Sequence, residues 1–296
     1  MTLPDFSPFG GDEVRPVSFD EANIVVLPLC YEHAPSYGAG SEDGPLHLLN
    51  ASAQLEAVDE ETLMDWAGLG IHTLPPLFPP KDPEAAVDEM RTAADRVLTQ
   101  GKFLLSLGGD HAVSLGPIQA AFKHHPKIGV LQVDAHLDLR NEWNGSRYNH
   151  ACVMRRVADM GLPFIQVGIR SFSREEAEYV RTQGLAPFYA HQIASISEIF
   201  PGSGKEDWID QAVNRLPEQV YLSIDLDGLD PAVLPGTGTP EPGGLTYRQL
   251  VRLLRAVGRN RKVVAADINE LVKIPGTQVS EFTAAKLATK IFVHCA

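Results

Sequence analysis

Ile128-Gly129-Val130-Leu131-Gln132-Val133-Asp134-Ala135-His136-Leu137-Asp138 runs through six uncharged positions and then sets a potential metal ligand at every second residue. A short, mostly apolar run without polar alternation reads as a strand covered on both faces. If the strand ends near Asp134, side chains two apart share a face, so Asp134, His136 and Asp138 can converge on one ion or bridge two. Taken alone, Asp-x-His-x-Asp is equally a polar strand end entering a solvated acidic turn. What decides between these readings is whether the junction recurs.

It does. Upstream, Ala22 to Leu29 is a strand signal, followed by a long polar segment containing His33, Tyr37, Gly38 and Gly40; Pro45 then opens a helix through Leu49. Segments of that length inside a compact domain usually cover or build a site. Asp82-Pro83-Glu84 predicts a helix start, with Asp82 as cap, and a 3.6-residue apolar period continues to Gly101. The strand Lys102 to Leu107 runs into Gly108-Gly109-Asp110-His111, and Ser114 to His125 reads as a helix. Downstream, strands are expected over Phe164 to Gly168, Val220 to Ile224 and Lys262 to Ala266. Helices are expected over residues 174–183, from a Thr246 cap to Gly258, and from a Ser280 cap to about Val293. Residues 1–20, rich in Pro, Gly and Asp, read as an N-terminal surface arm on a single domain spanning 1–296.

Strands alternating with helices imply right-handed βαβ units and a parallel sheet. An open sheet and a (β/α)8 barrel both fit the pattern. Four clusters now stand at strand ends: Asp110-His111, Asp134-x-His136-x-Asp138, Asp225-x-Asp227-x-x-Asp230 and Asp267-x-x-Glu270. A parallel sheet collects all such ends on one edge, where open α/β folds bind ligands. That coincidence favours a functional site over four unrelated acidic turns.

The balance of 25 basic against 38 acidic residues, net −13, argues against a nucleic-acid partner or an anionic membrane and favours a cationic substrate. Cys30, Cys152 and Cys295 have no Cys-x-x-Cys spacing, which suits a reducing compartment and speaks against a zinc–thiolate site. The first fifteen residues lack the apolar stretch of a signal peptide, and no apolar run approaches the ~20 residues of a spanning helix. A cytoplasmic location is expected. Four carboxylates and two imidazoles drawn from these clusters, with no thiolate, form a hard ligand set that favours Mn2+, with Fe, Co and Ni as alternatives. Six such ligands suit a pair of ions ~3.5–4 Å apart, which together activate water.

The Gly-Gly-Asp-His, Asp-Ala-His-x-Asp and Ser-x-Asp-x-Asp-x-x-Asp-Pro motifs, together and in this order, resemble the ureohydrolase family of arginases and agmatinases, from about Ala22 to Val293. The resemblance implies a three-layer α/β/α fold with a mostly parallel eight-stranded sheet, in place of the barrel, and a homotrimer or homohexamer. It implies two manganese ions per subunit. His111, Asp134, Asp138 and Asp225 would hold one, and Asp134, His136, Asp225 and Asp227 the other. The implied reaction is hydrolysis of a guanidinium to urea and an amine. His150, twelve residues after Asp138, matches the family's proton-shuttling histidine, and Glu270 the carboxylate that pairs with the guanidinium. Asp230 reads as a turn former and Cys152 as a packed residue.

Arginases follow their Gly-x-Arg motif with an aspartate for the substrate's amino group; here Gly168-Ile169-Arg170 is followed by Ser171. The stretches around Pro235–Leu245 and Ser36–Gly40 resemble agmatinases instead. Agmatine, giving urea and putrescine, is therefore the expected substrate. N1-aminopropylagmatine and guanidinobutyrate are the alternatives, the latter kept open by Arg140. Glu142, Glu175, Glu176 and Glu241 are candidates to meet the substrate's far amine. A deacetylase-like amidase on the same fold and a non-catalytic metal-binding relative are the competing classes.

Overall fold

A computed structural model describes residues 6–193 and 207–296. Eight strands form one open sheet: β1 (Ile24–Leu29), β2 (Ile71–Thr73), β3 (Phe103–Gly108), β4 (Ile128–Val133), β5 (Phe164–Ile169), β6 (Phe188–Tyr189), β7 (Gln219–Asp225) and β8 (Lys262–Asn269). Their order is β2-β1-β3-β8-β7-β4-β5-β6, every pair is parallel, and among the described residues β2 and β6 pair on one side only and not with each other, so the sheet is open and not a barrel.

Helices cover both faces, as the apolar strands require. On one side α1 (Gly44–Ser52), α6 (Trp208–Arg215), α7 (Tyr247–Asn260) and α8 (Val279–Cys295) pack over Ile24, Val26, Leu131, Val133 and Leu222. On the other, α2 (Pro83–Leu98), α3 (Leu115–His124), α4 (Val153–Asp159) and α5 (Arg174–Gln183) pack over Val25, Leu27, Val130 and Tyr221. Alternation within each strand thus feeds two cores, which is the expected three-layer architecture.

Local chemistry sets the helix starts. The Asp82 carboxylate accepts from Ala85 N, with Pro83 in the first turn, and Ser173/Glu176 and Thr246/Gln249 form reciprocal capping boxes. Ser280 is not the cap of the last helix. It lies one residue inside α8, and its hydroxyl instead accepts from Gly236 N, tying the loop after β7 to this helix. The N-terminal arm needs a larger correction. Phe9 is fully buried, edge-on to Trp66 and Phe292 at ring centroid distances of 5.8 and 5.1 Å, and Val14 is buried beside it. Residues 6–20 therefore belong partly to the core, while residues 1–5 lie outside the described part.

Candidate metal centre and active site

The strand order brings β3 and β4, consecutive in the chain, to opposite sides of β8 and β7. A crevice opens at the carboxyl ends of strands where successive connections diverge. His111, His136, Asp138, Asp225, Asp227 and Glu270 all line one cavity of about 330 Å3 there. Asp134 is fully buried beside these ligands.

The turn after β3 needs Gly109, because a Cβ there would sit 1.9 Å from the Tyr31 carbonyl oxygen. That close approach lets Asp110 cap the turn to Ala112 N and leaves His111 facing inward. His111 Nδ1 lies 2.8 Å from Asp138 Oδ2, 3.0 Å from Asp134 Oδ2 and 3.5 Å from Asp225 Oδ2. His136 Nδ1 lies 3.0 Å from Asp227 Oδ2 and 3.5 Å from Asp134 Oδ1. Two groups of converging ligand atoms result, His111/Asp134/Asp138 and Asp134/His136/Asp227, with Asp134 common to both. Asp225 stands outside both groups; its other oxygen accepts from Asp227 N at 2.8 Å. Asp138 and Glu270 adopt φ of 52° and 67°, a left-handed conformation held at non-glycine residues where the surrounding structure imposes it.

Crowding charges in this way perturbs several of the groups. Burial raises the Asp225 carboxyl well above its usual range, reinforced by the Asp227 and Asp134 charges, and burial with the Asp134 charge pushes Asp138 up to about 7. Burial works against a charged His136, but Asp227 and Asp134 outweigh it and carry the imidazole up to about 12. The donor set fits divalent cations. His111 Nδ1 is buried with no geometrically sound hydrogen bond while three carboxylates surround it, so a cation at that point would meet a lone pair and anionic oxygens at once.

Behind the ligands lies a support that the sequence reading did not assign. His111 Nε2 bonds the Ser223 hydroxyl at 2.9 Å, and that hydroxyl donates to Asp267 Oδ1 at 2.8 Å. Tyr221 Oη and Asn269 Nδ2 also donate to Asp267. Asp267, grouped with the site on sequence, thus sits beneath it. The signal for Ser223 was present, since it is the serine of the Ser-x-Asp-x-Asp motif. Gln132 donates to Asp134 Oδ2 and is itself fixed by Gln166.

His150 lines the cavity, and burial together with the charges of His111 and His136 draws its imidazole down to about 4. Glu270 Oε1 accepts from His111 N at 2.8 Å. Asp230 accepts from Ala232, Gly243 and Gly244 N, a turn former as expected. Cys152 is buried, and burial pushes its thiol up to about 12, an unreactive state. Of the four acidic candidates for the far end of a substrate, only Glu176 lines the cavity. Its oxygens already accept from Leu139 N and from Ser173 N and Oγ. Arg140 also lines the cavity, its guanidinium 4.1 Å from the Trp143 ring centroid and 3.9 Å from Glu176.

Comparison with known proteins agrees with this geometry. The chain is 40% identical over 282 residues to the N(1)-aminopropylagmatine ureohydrolase of Synechocystis sp., covering 93% of this chain and 89% of that one. It is 33% identical to the agmatinase of Pyrococcus horikoshii, covering 93% of each. The agmatine ureohydrolase of Thermoplasma volcanium superposes with a TM-score of 0.85 at 28% identity, over 99% of this chain and 95% of that one. The Arginase family profile matches residues 22–294, and with the sheet order and the clustered ligands this establishes that the chain is a member of the arginase family of ureohydrolases.

Proposed function

We propose that this chain is a two-manganese hydrolase that cleaves the guanidinium of a linear cationic amine, N1-aminopropylagmatine in preference to agmatine, to urea and a polyamine. The carrying observation is the pair of ligand clusters sharing Asp134, with the His111 Nδ1 lone pair buried between carboxylates. Preference for the longer substrate rests on the 40% identical relatives, which are N(1)-aminopropylagmatine ureohydrolases, against 33% for the agmatinase. Ser171, where arginases carry an aspartate, supports a substrate without an α-amino acid head.

His111, Asp134, Asp138 and Asp225 would hold one ion and Asp134, His136, Asp225 and Asp227 the other, Asp225 contributing from beside the two groups of converging ligand atoms. Ions bound there supply charge stabilisation and lower the pKa of water enough to give a nucleophile at neutral pH. Glu270, with Oε1 anchored on His111 N, keeps acceptor capacity for the N–H groups of a guanidinium and so orients its planar carbon. His150 carries a proton to the departing amine, which leaves poorly as an anion. The subunits are proposed to assemble as a homotrimer or homohexamer in the cytoplasm; no helix among the described residues is long and apolar enough to cross a membrane.

The test is urea release by Mn2+-loaded protein from N1-aminopropylagmatine, agmatine, arginine and 4-guanidinobutyrate. The reading expects the highest kcat/KM on the first, then agmatine. Faster turnover of guanidinobutyrate would reassign Arg140 as a carboxylate receptor, and urea from none of them would refute the assignment.

A further inference from the structure

We propose that Ser36 is a positioning residue that holds the His150 imidazole and connects it to bulk water; the inference rests on His150 acting as the proton carrier of the proposed reaction. The two ring nitrogens of His150 face different environments. Nδ1 is shielded from solvent and has no hydrogen-bond partner among the described residues. Nε2 lies 2.9 Å from the Ser36 hydroxyl, and Ser36 is exposed while lining the same cavity. The ring therefore has one enclosed nitrogen and one whose only observed partner opens to water.

Ser36 is held in that place by built contacts. Its loop, residues 30–43, is pinned at the near end by His33 N donating to Asp110 Oδ2, and by Asn149 Nδ2 donating to the His33 carbonyl. Asn149 adjoins His150, so one segment anchors both members of the pair. At the far end Glu32 accepts from Gly40 N, Ser41 N and Ser41 Oγ. Between them Gly38 N donates to the Gly238 carbonyl at 3.0 Å, and a Cβ on Gly38 would come within 2.8 Å of that oxygen. The loop cannot drift from His150 without breaking these bonds.

A serine hydroxyl suits the task because it both donates and accepts. It donates to Nε2 when the imidazole is neutral with its proton on Nδ1, and accepts when the ring is cationic. In guanidinium hydrolysis water gives up both its hydrogens and the departing nitrogen gains both, so none is released overall. The water loses its first proton before the amine needs one, and the difference in timing requires exchange with a reservoir. The attacking water's first proton goes to solvent; Ser36 then passes a proton to Nε2 while taking one back from solvent, which keeps its own count unchanged, recharges the ring and leaves no net charge behind.

The experiment compares Ser36→Ala, Ser36→Thr and His150→Ala in the Mn2+-loaded full chain, by urea release and solvent deuterium isotope effect. We expect Ser36→Ala to lower kcat roughly ten-fold, the loss of about one hydrogen bond, with KM nearly unchanged and a larger isotope effect on kcat. Ser36→Thr, which keeps the hydroxyl, should restore kcat. An unchanged kcat in Ser36→Ala with an impaired His150→Ala overturns this inference alone. A raised KM with intact kcat also overturns it, since that marks substrate binding, as does a loss that threonine leaves unrepaired. Full activity in His150→Ala would instead remove the proton-carrier reading on which it stands.

Discussion

Replacing Ser223 with alanine should weaken metal binding although Ser223 is not itself a ligand. The hydroxyl stands 2.9 Å from His111 Nε2 and donates its only hydrogen to Asp267 Oδ1 at 2.8 Å, so it must accept from Nε2–H. That fixes the imidazole proton on Nε2 and leaves the Nδ1 lone pair aimed at Asp134 and Asp138. Without the hydroxyl, a buried Nε2–H loses its acceptor, and the proton gains by moving to Nδ1, where the carboxylates receive it. A cation must then displace that proton. Loss of such an outer partner typically costs 10–100-fold in metal affinity, or roughly 1.4–2.7 kcal/mol. Titrating Mn2+ into the apoprotein, with free Mn2+ read by electron paramagnetic resonance, measures it. Ser106→Ala is the matched control: Ser106 is equally buried, lies on β3, one strand beyond β8 in the same sheet, and its hydroxyl has no hydrogen-bond partner among the described residues. Ser223→Ala within two-fold of Ser106→Ala would refute the tautomer argument.

Two further predictions concern buried charge away from the centre. Lys290 and Asp59 are both fully buried, and the ammonium bonds Asp59 Oδ2 and, at 2.9 Å, Glu60 Oε2. Lys290→Met leaves the Asp59 carboxylate uncompensated and should cost about 3–5 kcal/mol in urea unfolding, with Asp59→Asn added to it recovering most of the loss. Burial alone would raise the Asp59 carboxyl, but the bonds from Lys290 and Thr62 prevail and hold it at about 2, below its usual 3.8. Its contribution, roughly 2 kcal/mol, is therefore complete above pH 4 and disappears as pH falls from 4 to 2; a Lys290→Met chain that kept the full acid-limb slope would contradict this. Glu281, in the first turn of α8, is 3% exposed with neither oxygen hydrogen-bonded among the described residues. Relief of that desolvation, roughly 1–3 kcal/mol, exceeds the 0.3–1 kcal/mol or so an acidic residue gains from the helix dipole, so Glu281→Met should be stabilising. A lowered urea midpoint would show that the carboxylate is engaged.

How much of this was legible in the chain depended on how local the cause is. The ligand clusters were readable because each follows its own apolar strand, and a parallel sheet delivers all such ends to one edge whatever the helices do. The Asp82 and Thr246 caps are likewise decided within four residues of themselves. Phe9 was misjudged because its partners, Trp66 and Phe292, lie far along the chain, and nothing in a Pro- and Gly-rich arm signals them. Strands β2 and β6, three and two residues long, are too short to carry a period.

The substrate's far end shows where sequence reading stops for a physical reason. On sequence Glu142, Glu175, Glu176 and Glu241 were equal candidates for a cationic tail, since a carboxylate is a carboxylate until its acceptors are counted. Glu176 is the one that reaches the cavity, yet the Ser173-x-x-Glu176 spacing already commits it to a capping box, and Leu139 N takes its other oxygen. Arg140 beside it further offsets its charge. Around it the cavity is lined by Trp143, with the Arg140 guanidinium stacked on its ring, by Phe172 and by the hydroxyls of Ser171 and Thr239, a wall of largely aromatic and neutral polar groups. Such a wall can hold an aliphatic amine by contact along its length, with only weak demands on where the far charge stops. A specificity of that kind rewards added methylenes more than a single ion pair. The carboxylates proposed to hold the cations and the guanidinium stand in motifs that the sequence displays; the surfaces proposed to meet the tail are ones that only the folded loops bring together.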